Sequence, residues 1–130
     1  MIGLDTSAII DIFKGEQGIK KFLETNKEPY MTTIMNYLEL FFGINPGNKN
    51  HTIEAEYYHD LFKNVHALEL SKDACEEASR IHWNTKKSGN MIGQFDCIIA
   101  GIFLSNGVNK ILTRNKKHFK RVKGLTVITY

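Results

Sequence analysis

Short apolar runs alternate along this chain with longer stretches in which apolar positions recur at helical spacing. Ile2-Gly3-Leu4 reads as a short strand, closed by Asp5-Thr6-Ser7. Ser7 is a candidate N-cap for a helix over 8–13 that Gly15 breaks. Ile19, Phe22 and Leu23 place a second helix over 17–26. Pro29 stops it, and residues 30–33 read as a strand. A strongly apolar helix over 34–44 ends in the turn residues Pro46-Gly47-Asn48. Ile53, Tyr57, Leu61 and Phe62 mark a helix over 52–64, before a strand within 65–70. Ser71-Lys72-Asp73 opens a long helix to about residue 86, with Ala74, Ala78, Ile81 and Trp83 as its apolar side. After a loop at 87–90, an apolar helix runs from Gln94 or Phe95 to Ser105. A strand over 110–113, a basic helical turn over 115–121 and a strand over 125–129 complete the chain.

Strands alternating with helices from end to end predict a three-layer α/β domain spanning 1–130. Its parallel sheet has about four to five strands and carries helices on both faces. No repeat, linker or low-complexity segment interrupts it. In such sheets functional groups gather beyond the carboxyl ends of the strands. Asp5 and Asn115 fall at such ends.

One position breaks the pattern of the third helix. Glu39 stands among Leu38, Leu40, Phe41, Phe42 and Ile44. Burying an ionised carboxylate costs several kcal/mol unless a partner compensates. Asn36, Glu39 and Gly43 fall on one helical face, so the glutamate looks across a cleft. Two other acids sit in apolar surroundings: Asp5 after the first strand, and Asp96 between Phe95 and Cys97-Ile98-Ile99. Each has a structural explanation alone, as an N-cap or as a group facing a helix dipole, and Glu39 has one as half of an ion pair. Taken together they suggest one pocket. Carboxylates brought together repel, so their pKa values rise or a cation neutralises them. Oxygen donors without histidine or thiolate select Mg²⁺ or Mn²⁺. His51, His59, His66, His82 and His118 show no zinc-ligand spacing, although His118 lies where a basic segment could present it to a phosphate.

Composition adds direction. With 42% hydrophobic and 24% charged residues the chain is an ordinary globular protein, and its net charge is only +3. The charge is segregated: no acid follows Asp96, while Lys110, Arg114, Lys116, Lys117, Lys120, Arg121 and Lys123 all do. A solvated basic surface and a polyanion-binding tail are both consistent with this, nucleic acid first among polyanions. Cys75 and Cys97 form no C-x-x-C pair and read as thiols of a reducing, cytoplasmic compartment. No apolar run approaches the roughly 20 residues of a membrane span, and the N-terminus does not read as a secretory signal. A carboxylate-held divalent ion beside a basic tail points to phosphodiester hydrolysis.

Four segments in order carry a resemblance. They are Ile2-Gly3-Leu4-Asp5-Thr6-Ser7; Tyr37-Leu38-Glu39-Leu40 with Gly43; Ile92-Gly93-Gln94-Phe95-Asp96-Cys97-Ile98-Ile99-Ala100; and Leu112-Thr113-Arg114-Asn115 followed by His118-Phe119, Val122, Gly124 and Leu125. They resemble the PIN-domain nucleases and, among them, the VapC-type toxins of toxin–antitoxin systems, over nearly the whole chain. The resemblance implies a PIN-like parallel fold, an RNA substrate, a homodimer, and a small antitoxin that places a basic side chain in the acidic pocket. It carries over Asp5, Glu39 and Asp96 as Mg²⁺ (or Mn²⁺) ligands and Asn115 as a fourth catalytic position, aspartate in many members. The amide brings no charge, which weakens the case for a second metal ion. Thr6, Ser7 and Thr113 are expected to orient ligands or water, and Arg114, Lys116, Lys117 and Lys120 to hold RNA. Gln94 stands where proline is common, a loop difference only.

Two readings compete with a toxin ribonuclease: a non-catalytic PIN-like RNA-binding module, and a housekeeping PIN nuclease without an antitoxin. Phosphotransfer domains fit poorly. Ser7 stands where an aspartyl-phosphate phosphatase needs a second acid, and Gly3-Leu4 where a receiver domain needs an acidic pair.

Overall fold

A computed structural model describes all residues 1–130. Five strands form one wholly parallel sheet: β1 (Ile2–Leu4), β2 (Tyr30–Thr33), β3 (His66–Leu68), β4 (Lys110–Leu112) and β5 (Thr126–Ile128), in the order β3-β2-β1-β4-β5. Seven helices connect them: α1 (Thr6–Lys14), α2 (Gln17–Thr25), α3 (Ile34–Phe42), α4 (Thr52–Asn64), α5 (Lys72–Lys87), α6 (Gln94–Ser105) and α7 (Lys116–Phe119). The alternation expected from the sequence is therefore the architecture found.

Side chains alternate across the sheet and build two cores. Ile2, Leu4 and Leu112 face α1, α2, α3 and α4 through Ala8, Ile9, Ile19, Leu40 and Tyr58. Ile111 faces the other way, toward α5 and α6, where Ile99, Ile102, Phe103, Ala74 and Ala78 lie. Gly3 also points to that side, and a Cβ there would fall 2.5 Å from the Phe103 ring. Gly101 of α6 lets two helix backbones meet, since its Cβ would lie 2.8 Å from the Ala74 carbonyl oxygen and the Ala78 nitrogen. No helix is long and apolar enough to cross a membrane.

Several local expectations shift. Helix α1 starts at Thr6, because Asp5 has extended backbone angles and its carbonyl accepts from the Ile9 N–H at 3.1 Å. Asp5 is thus the N-cap residue, and Ser7 lies in the first turn. Helix α3 stops at Phe42 and β3 is shorter than the apolar run around it. Trp83 is 60% exposed, because α5 turns Ala74, Ala78, Ile81 and Thr85 inward instead; Lys86 lies over the indole. Ile53 is likewise exposed, and Tyr58 is the buried anchor of α4. Both cysteines are free thiols, Cys75 exposed and Cys97 buried.

The chain leaves β1 for β2 and β3 on one side, then returns to β4 on the other. The strand order reverses between β1 and β4, and open parallel sheets bind ligands beyond the carboxyl ends at such a reversal. Asp5 ends β1 there, Thr113 follows β4, and Thr33 ends β2 beside them.

Candidate active site

Asp5 is only 5% exposed. Its side chain accepts no capping hydrogen bond from the Ser7 or Ala8 N–H of α1, although it occupies the N-cap position. The carboxylate instead points across the sheet edge. Asn36 Nδ2 donates to Oδ1 at 3.1 Å, and Thr113 Oγ1 donates to Oδ2 at 2.7 Å. Ser7 Oγ stands 3.4 Å from Oδ2 and 3.2 Å from Thr113 Oγ1, and it accepts from the Arg114 N–H at 3.0 Å. Strand β1, strand β4 and helix α3 are thus stitched together around one acid.

Glu39 lies half-buried in α3. Thr6 Oγ1 donates to its Oε1 at 2.6 Å, and Asn36 Nδ2 donates to Thr6 Oγ1 at 3.0 Å. Asn36 therefore bridges both acids. It is fully buried, and its Oδ1 accepts from the Thr33 hydroxyl and N–H in a capping box that starts α3. The helical stripe marked Asn36 in the sequence, while the pair Thr33 and Asn36 signals only the start of α3.

Asp96 lies in the first turn of α6. Its Oδ2 stands 2.8 Å from His118 Nδ1 and 3.4 Å from Asn115 Nδ2, and those two groups are 3.1 Å apart. His118 is thus directed at a carboxylate. Asn115 also donates its backbone N–H to Thr113 Oγ1 at 2.9 Å, which ties the Asp96 side of the site to Asp5.

The acids feel one another. Burial pushes the Asp5 carboxyl above its ordinary range; hydrogen bonds from Thr113, the Thr6 backbone and Asn36 oppose this, and the charge of Asp96 adds to it. Burial also raises Glu39, opposed by the Thr6 hydrogen bond and reinforced by Asp5 and Asp96. The donor set is oxygen-only and suits a hard divalent cation. It is nonetheless open: no three His, Cys, Asp or Glu side chains close round one point. The acids fit such an ion by chemistry and charge, with Asp96 held by His118 and Asn115 in the arrangement seen.

The basic residues divide. Arg114 Nε pairs with buried Asp11 of α1 at 2.7 Å, and Tyr130 donates its hydroxyl to the same Asp11 carboxylate at 2.5 Å. Lys116, Lys117 and Lys120 are exposed and join no ion pair. The expected RNA-holding set thus contains one guanidinium already neutralised and three free ammonium groups beside Asn115.

The PIN domain family model matches residues 2–125. Ribonuclease VapC1 of Rickettsia felis (strain ATCC VR-1525 / URRWXCal2) is 30% identical, covering 97% of this chain and 93% of that protein. Among solved structures, VapBC-1 from nontypeable Haemophilus influenzae superposes with a TM-score of 0.83 at 26% identity, covering 99% of this chain and 98% of the matched one. VapBC2 from Rickettsia felis, bound to a DNA fragment from its promoter, gives 0.85 at 19% identity, covering 100% and 99%.

Proposed function

The chain belongs to the PIN-domain family, and on that premise we propose that it is a divalent-metal-dependent endoribonuclease, the toxin of a toxin–antitoxin pair. One observation carries the chemistry. Asp5 after β1, Glu39 of α3 and Asp96 of α6, far apart in sequence, share an electrostatic field at the strand-order reversal; Asn36 and Thr6 link the first two, and Thr113 and Asn115 connect Asp5 to Asp96.

Asp5, Glu39 and Asp96 would hold Mg²⁺ or Mn²⁺, which when bound supplies charge neutralisation at the phosphoryl group and an activated water. The chain's own groups do the positioning. Asn36 and Thr113 fix the Asp5 carboxylate from both sides. Thr6 aims Glu39, with Ser7 bracing the β4 loop. Asn115 offers an amide donor without charge, and Lys116, Lys117 and Lys120 hold phosphates on either side of the scissile bond. Arg114 serves the loop through Asp11.

The similarity to VapC1 supports the ribonuclease reading, and the similarity to VapBC complexes supports a cognate antitoxin as partner. A basic side chain of such a partner would be attracted to the same acids. Exposed Leu38, Phe42 and Phe95, the two phenylalanine rings stacked at 6.4 Å, offer an apolar face for a homodimer. An RNA substrate supports a cytoplasmic setting for this activity.

Incubation of RNA with the purified chain in Mg²⁺, and again in EDTA, tests the enzyme. Metal-dependent internal cleavage is expected. The open arrangement of the acids, with Asp96 engaged by His118, favours a second reading, the non-catalytic RNA-binding module. Binding of RNA without a metal-dependent product would select it.

A further inference from the structure

A second site of opposite charge lies on the far side of α7. A pocket of about 360 Å³ opens between the carboxyl end of α5 and the segment that joins α7 to β5. Arg80, Lys87, Arg121 and Lys123 surround it, and none of its 9 lining residues is an acid. Its floor is apolar: Ile81 and Val122 are each 3% exposed. Resting on this ribonuclease reading, we infer that the pocket binds a backbone phosphate of the same RNA strand, beyond the scissile bond.

Three features separate it from an ordinary solvated basic face. The pocket is a concavity rather than a flat face, and its volume falls within the range of ligand clefts. Its lysine ammonium groups join no ion pair, and backbone carbonyls at its rim are engaged. The last carbonyls of α5 are already taken: the Ser88 N–H donates to Asn84 O at 3.2 Å, and the Asn90 N–H and Ser88 hydroxyl donate to Thr85 O at 2.8 and 3.1 Å. One cation is also held in place, since Arg121 Nη1 donates to the Met91 carbonyl at 3.2 Å. Arg80 is paired with Glu77, which lies outside the lining, so Lys87, Arg121 and Lys123 bring the uncompensated charge.

Position favours RNA as the ligand. Arg121 follows His118 by one helical turn, and its backbone N–H donates to the His118 carbonyl at 3.1 Å. His118 in turn touches Asp96. Arg121 and Lys123 continue the basic segment that starts with the exposed lysines of α7, so a strand laid over the carboxylates and those lysines can extend into the pocket, whose lining holds no acid. A separate small anion would have no need of that continuity.

The test uses the full chain with both Lys87 and Lys123 changed to alanine, two exposed side chains whose loss leaves the floor and Arg121 in place. On a long single-stranded RNA, the variant is expected to show a several-fold higher KM with unchanged kcat. In the Asp5→Asn background, its RNA-binding salt slope should fall by about 0.7, the value for one phosphate on a single strand. A short oligonucleotide reaching only from the carboxylates to Lys120 should be cleaved equally by both proteins. Equal KM and salt slope on long RNA overturn the inference. So does a variant that loses binding to inorganic phosphate, or to an acidic peptide, while its RNA binding is unchanged. If the wild type cleaves no RNA in Mg²⁺, the ribonuclease reading fails; unchanged long-RNA kinetics in an active variant reject the pocket alone.

Discussion

Asn36 donates one amide N–H group to Asp5 at 3.1 Å and another to Thr6 at 3.0 Å, from a fully buried position in α3. A single neutral side chain thus sets the relative placement of two acids, because Thr6 passes the contact on to Glu39 at 2.6 Å. Its carbonyl oxygen is meanwhile spent on starting its own helix through Thr33. Helix nucleation and site geometry are therefore one structural device.

Replacing Asn36 with alanine should remove both donors. Loss of supporting hydrogen bonds around metal-binding acids typically costs roughly 10–100-fold in affinity or activity. The broken capping box should add about 1 kcal/mol of destabilisation. Cleavage kinetics alongside urea unfolding check both; wild-type kinetics in Asn36→Ala would mean that the acids are positioned without it.

Asp5→Asn and Asp96→Asn should each nearly abolish cleavage, yet Asp5→Asn should stabilise the metal-free chain. The folded state raises the Asp5 and Glu39 pKa values, chiefly by burial. It therefore binds more protons than the unfolded chain between the ordinary and the raised carboxyl values. Stability contributed by protonation is greatest below that window and falls as pH rises through it. Thermal melts in EDTA across about pH 4 to 8 should show a shallower decline for Asp5→Asn than for wild type. Saturating divalent ion should reverse the order by stabilising the wild type alone, by about 2.7 kcal/mol at a hundredfold excess over Kd.

Much of this site could be read from the sequence because its acids violate local expectations. Glu39 and Asp96 each have an ordinary explanation alone, as half of an ion pair and as a residue facing a helix dipole; their apolar surroundings mark them only when they are taken together with Asp5. The strand–helix alternation also fixes the sheet's parallel sense. What could not be read depends on pairing at a distance. Arg114 resembles the neighbouring lysines in sequence, but Asp11 of the first helix is 6% exposed and holds it. The basic pocket escaped for the same reason: Arg80 and Lys87 are remote in sequence from Arg121 and Lys123, and only packing of α5 against the last connection unites them.

That division among cations is measurable. Neutralising Lys116, Lys117 and Lys120 together should lower the RNA-binding salt slope by about 2, at ~0.7 for each phosphate contact on a single strand. Arg114→Ala should change the slope little. It should instead destabilise the fold by about 1–2 kcal/mol, below the range for a fully buried pair because the Arg114 side chain is 56% exposed. Salt-dependent binding curves and urea unfolding separate the two effects; a large slope change in Arg114→Ala would return it to the RNA-binding set.

Gly101→Ala should destabilise by about 1–3 kcal/mol without touching the site chemistry, since the added methyl meets the backbone of α5 rather than a movable side chain. Urea unfolding reads the cost directly, and a neutral outcome would show that α5 and α6 can separate freely.

Convergence of Asp5, Glu39 and Asp96 on one divalent ion is tested most directly by adding substoichiometric Mn²⁺ to the isotopically labelled chain and recording which amide signals broaden. The expected result is broadening centred on residues 5–7, 39 and 96 and their spatial neighbours, lost when Asp96→Asn is introduced. Broadening centred on another part of the chain, or none in the wild type, would contradict it.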